Sequence, residues 1–443
     1  MSEKSKTDIP LVKVLEAIQP SNSGKGEPVL TYTALGRLIK EYETTHRARE
    51  RKFWESESGT LNESYNAREL AFEYFLHTAK KLIDADDTTR DIWADRYTQA
   101  SIELYGEPDK EEVTNLITEE YQALLDLRGN EDISQTHLSI LLEAYGPMLA
   151  TRADSQVDII DSLHEREAIH EYGKAILAKY KPIFDLVEES GKTEFSAKEL
   201  HTLFEKALDW LKKNDDPDWK DWSIGEAKGN FIFVKADNMT INIPPHREAA
   251  SAQEARGVLA HELLVHALRG KNGYKTGDKE LATGVAGYLS AEEGLGILSE
   301  EAINGELPEK AYDRYVDIAL ALGSVDGVQK TRQEVFEISF ARQIVRGQKN
   351  GTLRDTDISV LERKVWGHVD RIYRGSPGDN TNAKQGIFTK DIAYYVGYKL
   401  MAQYITEQMT LGKSASEIFE YLSQAKIDPT NKEHVARLNS AKS

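Results

Sequence analysis

The sequence predicts a mainly helical protein of the α+β class, with an N-terminal helical domain and a C-terminal domain that holds a small β element. Apolar residues recur at helical spacing through most of the chain, and only one segment has a convincing strand pattern. The chain has 443 residues, of which 40% are hydrophobic. A single core rarely grows to that size, so we expect two packed domains.

The composition excludes several classes of site and partner. Lysine and arginine number 56 against 74 aspartate and glutamate, a net charge of −18, so the average field repels nucleic acid. The absence of cysteine excludes disulfides, iron–sulfur clusters and thiol nucleophiles, and leaves histidine and carboxylate as metal ligands. The sequence has no leader pattern and no apolar run of membrane length. We therefore expect a cytoplasmic protein with no membrane partner.

The first half of the chain is predicted to be a flexible tail followed by helices. Residues 1–27 are polar and end in a stretch rich in Ser, Asn and Gly, which is typical of a linker. Residues 28–215 form the predicted helical domain, with apolar stripes such as Phe72, Phe75, Leu76, Ala79 and Ile83. A charged, proline-bearing stretch at 212–218 marks the predicted start of the second domain, residues 216–440.

The predicted β element is a hairpin that directly precedes a helix. Its strands are Phe231–Val234 and Met239–Ile243, where β-branched and aromatic residues are concentrated. A capping box at Ser251 then predicts a helix that runs to Arg269 and is ended by Gly270.

Inside this helix two histidines bracket a glutamate, in the segment His261-Glu262-Leu263-Leu264-Val265-His266. Imidazole is a good zinc ligand, and a neighbouring carboxylate that is not a ligand can take a proton from a metal-bound water. The familiar metallopeptidase helix has its histidines four residues apart, whereas these are five apart. Five residues turn an α-helix by about 140°, so a metal site requires a widened π-type turn between Glu262 and Val265. Otherwise both histidines are ordinary helix residues, one packed and one exposed.

A pair of carboxylates follows in a later helix. Glu292 and Glu293 lie in an apolar, small-residue segment from Gly287 to Leu298. Glutamates in such a segment are costly unless they are paired, protonated or bound to a cation. A third ligand from this helix would complete a catalytic site with three protein ligands and an open position.

Three ordered blocks between residues 250 and 400 form a larger pattern. The first is His261 to His266, and the second is Glu292-Glu293-Gly294-Leu295. The third comprises Arg371 to Gly375, Gly386 to Asp391, Tyr394 and Gly397. Together they resemble the microtubule-associated tyrosine carboxypeptidases and their bacterial relatives, a family named for a Q-E-G-L-A motif. Glu292 stands where the motif has Gln, and Gly296 where it has Ala.

The resemblance implies a zinc-dependent carboxypeptidase with a zincin-like catalytic domain at residues 216–440. By position, His261, His266 and Glu293 would bind zinc. Glu262 would be the catalytic carboxylate that takes the proton of the attacking water. The choice of Glu293 over Glu292 rests on the resemblance alone. The N-terminal half carries no motif of the animal enzymes that bind microtubules, so the resemblance does not extend to tubulin as the substrate.

The implied substrate is the C-terminus of a peptide or protein, and its carboxylate needs a positive partner in a chain of charge −18. The candidate substrate-binding residues are Arg269, Arg371, Arg374, Lys390, Tyr288 and Tyr394. The strand Met239–Ile243 is a further candidate, because it could pair with an extended peptide. The alternatives are a zinc aminopeptidase or amidase, and a binding or regulatory protein with a structural or vestigial metal site.

Overall fold

The computed structural model describes residues 39, 63–149, 159–227, 232–351, 353, 358–376 and 384–442, and the side chains of 63–70 and 159–163 are outside the description. Most of these residues are helical and the strands are few and short, which confirms a mainly helical protein. The predicted tail, residues 1–27, lies outside the described residues. Within the described ranges no helix is both long and apolar enough to cross a bilayer.

Helices dominate the order of elements along the chain. The helices are α1 (Glu63–Ile83), α2 (Arg90–Tyr105), α3 (Lys110–Leu125), α4 (Gln135–Leu149), α5 (Ile159–Glu189), α6 (Ala197–Asn214), α7 (Ala252–Val258), α8 (Leu268–Lys275), α9 (Lys279–Thr283), α10 (Leu289–Asn304), α11 (Glu309–Leu322), α12 (Arg332–Lys349), α13 (Ile358–Ile372), α14 (Ala393–Thr410), α15 (Ala415–Leu422) and α16 (Lys432–Lys442). A π-helical segment, Leu259–Ala267, joins α7 to α8. The strands are β1 (Glu194–Phe195), β2 (Ser223–Glu226), β3 (Phe233–Lys235), β4 (Thr240–Ile243) and β5 (Ala250–Ser251).

The chain divides into two compact units, each built from two stretches of sequence. Unit 1 comprises Met1–Val157 and Asp313–Ile392, and unit 2 comprises Asp158–Tyr312 and Ala393–Ser443. This division differs from the predicted boundary at 215/216, because α5 and α6 belong to unit 2.

The segment 212–218 is a turn inside unit 2 and not a linker. Asp216 caps a 3-10 turn, Pro217–Asp221, by accepting a hydrogen bond from the amide of Asp218. Trp219 and Trp222 follow, and both are buried in the core that also contains Leu263. The charged, proline-bearing stretch marks the end of α6. The apolar residues before it and after it are buried in the same core.

In unit 1 the predicted apolar stripe of α1 is confirmed for its central residues. Phe75, Leu76 and Ala79 are buried. The ring of Phe75 packs against Tyr97 of α2 and against Phe388, with centroids 5.2 and 5.5 Å away. Phe388 lies more than three hundred positions after Phe75, so sequence spacing could not indicate this contact.

The predicted hairpin is present within a three-stranded sheet of order β2-β4-β3, although its first strand is β3 (Phe233–Lys235) and Phe231 lies outside the described residues. β4 pairs antiparallel with β3 and parallel with β2. The prediction that the strand Met239–Ile243 pairs with a substrate is therefore wrong, because both of its edges are already occupied by protein strands. Ile241 and Ile243 point into the unit 2 core, and the sheet lies beside the π-helical segment.

Glycine allows α10 to approach its neighbours unusually closely. A Cβ atom at Gly397 of α14 would lie 1.7 Å from the carbonyl oxygen of Ser290, and one at Gly294 of α10 would lie 1.9 Å from the backbone of Gly397. Likewise, a Cβ at Gly173 of α5 would lie 2.1 Å from the carbonyl oxygen of Ala302. Backbone packs directly on backbone on two sides of α10, which fixes the position of this helix.

We predict that Gly397→Ala destabilises the protein by roughly 1–3 kcal/mol or more, since the added methyl group overpacks a contact that only backbone atoms can relieve. The matched control is Gly367→Ala on α13, where a Cβ would meet nothing within 4 Å. There alanine should raise the free energy of unfolding by up to about 1 kcal/mol through helix propensity. Chemical denaturation of both variants tests this, and equal effects would contradict it.

Candidate metal centre

The helix that carries the two histidines begins as the sequence predicts. Ser251 is its N-cap and accepts a hydrogen bond from the amide of Glu254 at 3.0 Å. Its predicted end at Gly270 is wrong, because α8 continues to Lys275. Gly270 instead serves close packing, since a Cβ there would lie 3.0 Å from the Cβ of Ala236.

The widened turn that the five-residue spacing requires is present. The π-helical segment extends over nine residues, Leu259–Ala267, and includes both histidines. In i→i+5 bonding, residues five apart lie about one turn above one another. The imidazole rings of His261 and His266 accordingly converge, with centroids 4.7 Å apart, and the predicted local geometry is confirmed.

Glu293 completes a cluster of three side chains that could hold a metal ion. Its Oε2 atom lies 3.6 Å from Nε2 of His261 and 3.9 Å from Nε2 of His266. One ligand atom from each residue lies within 4.8 Å of the others. Of the two neighbouring glutamates, it is therefore Glu293 that faces the Nε2 atoms.

Glu292 faces the other side of His266. Its Oε1 atom lies 2.8 Å from Nδ1 of His266 and 2.8 Å from Nζ of Lys426. Arg269 contacts its second oxygen. Burial alone would raise the pKa of Glu292, but Arg269 and Lys426 outweigh it and hold that pKa well below its usual range.

His261 has a corresponding partner in Glu300, one that sequence reasoning missed. Nδ1 of His261 lies 2.5 Å from Oε1 of Glu300, and Nζ of Lys310 lies 2.6 Å from the same oxygen. Burial opposes ionisation of Glu300, yet Lys310 and His261 lower its pKa to about 2. No motif indicates Glu300. Its position is four residues, about one turn, after Gly296 on α10, and this spacing was the sequence feature that placed it on the same face of the helix.

Negative charge around His261 favours a cation at its ring. Burial would lower the pKa of this imidazole, but its hydrogen bonds with Glu293 and Glu300 prevail and raise the pKa to about 9. The two carboxylates therefore favour positive charge at this ring. A metal ion bound at Nε2 would supply such charge in place of a proton.

Glu262 differs from the other carboxylates of the cluster because its Oε2 atom is inaccessible to solvent and has no hydrogen-bond partner among the described residues. Burial raises the pKa of Glu262, and the nearby histidines oppose this only in part. A buried oxygen without a partner is costly, and a buried carboxylate with a raised pKa beside a cluster of possible ligands is a candidate functional group.

The donor set fits a catalytic zinc ion. Two imidazole nitrogens and one carboxylate oxygen form a ligand set that such sites use, and in a tetrahedral site the ligand atoms lie about 3.3 Å apart. The separations of 3.6 and 3.9 Å between Glu293 and the two Nε2 atoms are close to this value, and the three ligand atoms all lie within 4.8 Å of one another. Gly296 provides room for the ring of His261, since a Cβ there would lie 2.5 Å from it.

The predicted substrate-binding residues do not all lie in this unit. Tyr288 and Tyr394 belong to unit 2 and are partly buried, and proximity to Glu292 and Glu293 adds to burial in raising the pKa of Tyr288. Arg371, Arg374 and Lys390 belong to unit 1, and their assignment stays a prediction.

The assignment of Arg269 to substrate binding is wrong. Its side chain is 1% exposed. Nε donates to the carbonyl of Ala425 at 2.8 Å, Nη2 donates to the carbonyl of Ile427 at 2.6 Å, and Nη1 contacts Glu292. With its donors engaged inside the protein, the guanidinium cannot meet a substrate carboxylate.

Comparison with protein-family models, with curated proteins and with solved structures gave no match. The similarity to the tyrosine carboxypeptidases thus rests on the three motif blocks.

Proposed function

We propose that unit 2 is a zincin-like domain and that the protein is a zinc-dependent peptidase. The observation that supports this most strongly is the combination of three converging ligand atoms with the partnerless carboxylate oxygen of Glu262 in the described part of the chain. His261, His266 and Glu293 would hold the metal, which leaves a fourth position open. A structural zinc site would be closed by four protein ligands and would have no use for a free base.

The chain's own groups have separate tasks in peptide hydrolysis. When bound, zinc would act as a Lewis acid on the scissile carbonyl and lower the pKa of water. Glu262 takes the proton of the attacking water and returns it to the leaving amine. Its raised pKa makes it a stronger base than an exposed glutamate. Tyr288, at the start of α10, is the group of unit 2 that we propose as a hydrogen-bond donor to the developing oxyanion.

Within the peptidases we propose a carboxypeptidase, on the motif resemblance. Arg269 is excluded as the partner of the substrate carboxylate, because its donors are engaged inside the protein. An aminopeptidase or amidase would use the same metal and base, so end preference distinguishes these enzymes.

We predict that the purified protein binds one zinc ion, and that His261→Ala and His266→Ala each abolish stoichiometric binding because two ligands cannot hold the metal. The control is His170→Ala, which removes an exposed histidine of the same unit. Bound metal is measured by atomic emission after gel filtration. Full retention of zinc in both histidine variants would rule out the site.

We predict that Glu262→Gln keeps zinc and lowers turnover by a factor on the order of 10² to 10⁴, the range typical for removal of a general base. Glutamine preserves the shape of the side chain but cannot accept the proton. Glu254→Gln, an exposed residue of the same helix, serves as the control and should leave turnover unchanged. A Glu262→Gln enzyme as active as wild type would show that this carboxylate is not the base.

We predict that peptides with a free C-terminus are shortened from that end, whereas the same peptides with an amidated C-terminus are not. The amide removes the charge that a positive side chain of the enzyme would recognise. Mass spectrometry of a matched peptide pair gives the result. Release of N-terminal residues would favour an aminopeptidase and would leave the zinc site intact.

A further inference from the structure

Both imidazoles are held in the same way from the side opposite Glu293. Each Nδ1 atom lies against a carboxylate of α10, at 2.5 Å for His261 and Glu300 and at 2.8 Å for His266 and Glu292. Each Nε2 atom lies within 4 Å of Glu293. The two rings are thus oriented alike, although their carboxylate partners are eight residues apart.

Neighbouring lysine and arginine side chains form ion pairs with these two carboxylates and so favour their ionised form. Glu292 contacts Arg269 and Lys426, and Glu300 contacts Lys310. An ionised carboxylate can only accept a hydrogen bond, so its partner Nδ1 must carry the hydrogen. In a neutral imidazole the other nitrogen, Nε2, then has the free lone pair that a metal requires.

The contact between His261 and Glu300 is built by a reciprocal pair of glycines. A Cβ at Gly296, four residues before Glu300, would lie 2.5 Å from the ring of His261. A Cβ at Gly257, four residues before His261, would lie 3.2 Å from Oε2 of Glu300. Each of the two segments therefore has a glycine at the position where the polar side chain of the other segment packs. The two glycines leave the space that His261 and Glu300 occupy.

From this geometry we propose that Glu300 is a positioning residue for the metal site, and that it fixes His261 in the tautomer and orientation that direct Nε2 toward Glu293. Glu292 does the same for His266. The inference rests on the metal site of the proposed function and not on its peptidase activity.

The test compares Glu300→Met, which keeps the size of the side chain but cannot accept a hydrogen bond, with Glu300→Gln, which can. We expect Glu300→Met to weaken zinc binding about 10- to 100-fold, the loss typical when the partner of a ligating histidine is removed. Glu300→Gln should restore most of the affinity. Zinc dissociation constants are measured by competition with a chelator at fixed pH, and the absorption spectrum of the Co²⁺-substituted protein reports the ligand geometry.

The matched control is Glu301→Met, at the next residue of α10, whose side chain interacts with Tyr398 and not with the histidines. It should change thermal stability without changing zinc affinity or the cobalt spectrum. If Glu300→Met behaves like this control, Glu300 is merely structural and the proposal is overturned. A wild-type protein that binds no zinc would instead overturn the metal site itself.

If Glu300→Met fails to fold, the tautomers of His261 and His266 are measured in the zinc-loaded wild-type protein instead. Long-range ¹H–¹⁵N spectra of the imidazoles distinguish the two tautomers. A hydrogen on Nδ1 of both histidines supports the proposal, and a hydrogen on Nε2 of His261 overturns it.

Discussion

The contact between the π-helical segment Leu259–Ala267 and α10 is the constraint on which the arrangement of unit 2 depends. A π turn is rare and persists where surrounding structure stabilises it. Here α10 provides that structure, because Gly296 admits the ring of His261 and two carboxylates of the same helix bind the imidazoles. α10 is itself held by direct backbone contact with α14 at Gly294 and Gly397.

Charge balance explains why so many ionisable groups can be brought together in this core. Four carboxylates, those of Glu262, Glu292, Glu293 and Glu300, meet three cations, Arg269, Lys310 and Lys426. Burying an uncompensated charge is expensive, and the contacts of Glu292 and Glu300 with these cations reduce that cost.

Unit 1 contains a buried ionic network of a different kind. Arg342 donates to Asp317 at 2.9 Å and to the hydroxyl of Tyr145 at 2.8 Å, while His368 lies 2.9 Å from the other oxygen of Asp317. Both oxygens of this aspartate have partners, and its contacts join α11 to α12 and α13, while Arg342 adds α4 through Tyr145. The carboxylate of Glu262 differs from that of Asp317, because its Oε2 atom has no hydrogen-bond partner among the described residues.

The sequence by itself determined the helical class, the hairpin and the need for a widened turn, because each follows from local spacing. Two histidines five residues apart are aligned on a helix by a π-type turn, and Leu259–Ala267 is π-helical. The extent of each unit was beyond the reach of local pattern, since α5 and α6 are assigned by the core they share with residues far along the chain.

Tertiary structure alone decided which carboxylate meets which ring. Neighbouring residues on an α-helix point about 100° apart, so Glu292 and Glu293 differ in role only through the way α10 is rotated against the histidines. The same rotation brings Glu300 to His261, and loop residues after α15 bring Lys426 to Glu292. Arg269, which resembled a substrate-binding cation in the sequence, is buried because those loop carbonyls and Glu292 take up its donors. Contacts of this kind depend on how helices pack, and helix packing is set by the sum of many apolar contacts rather than by any motif.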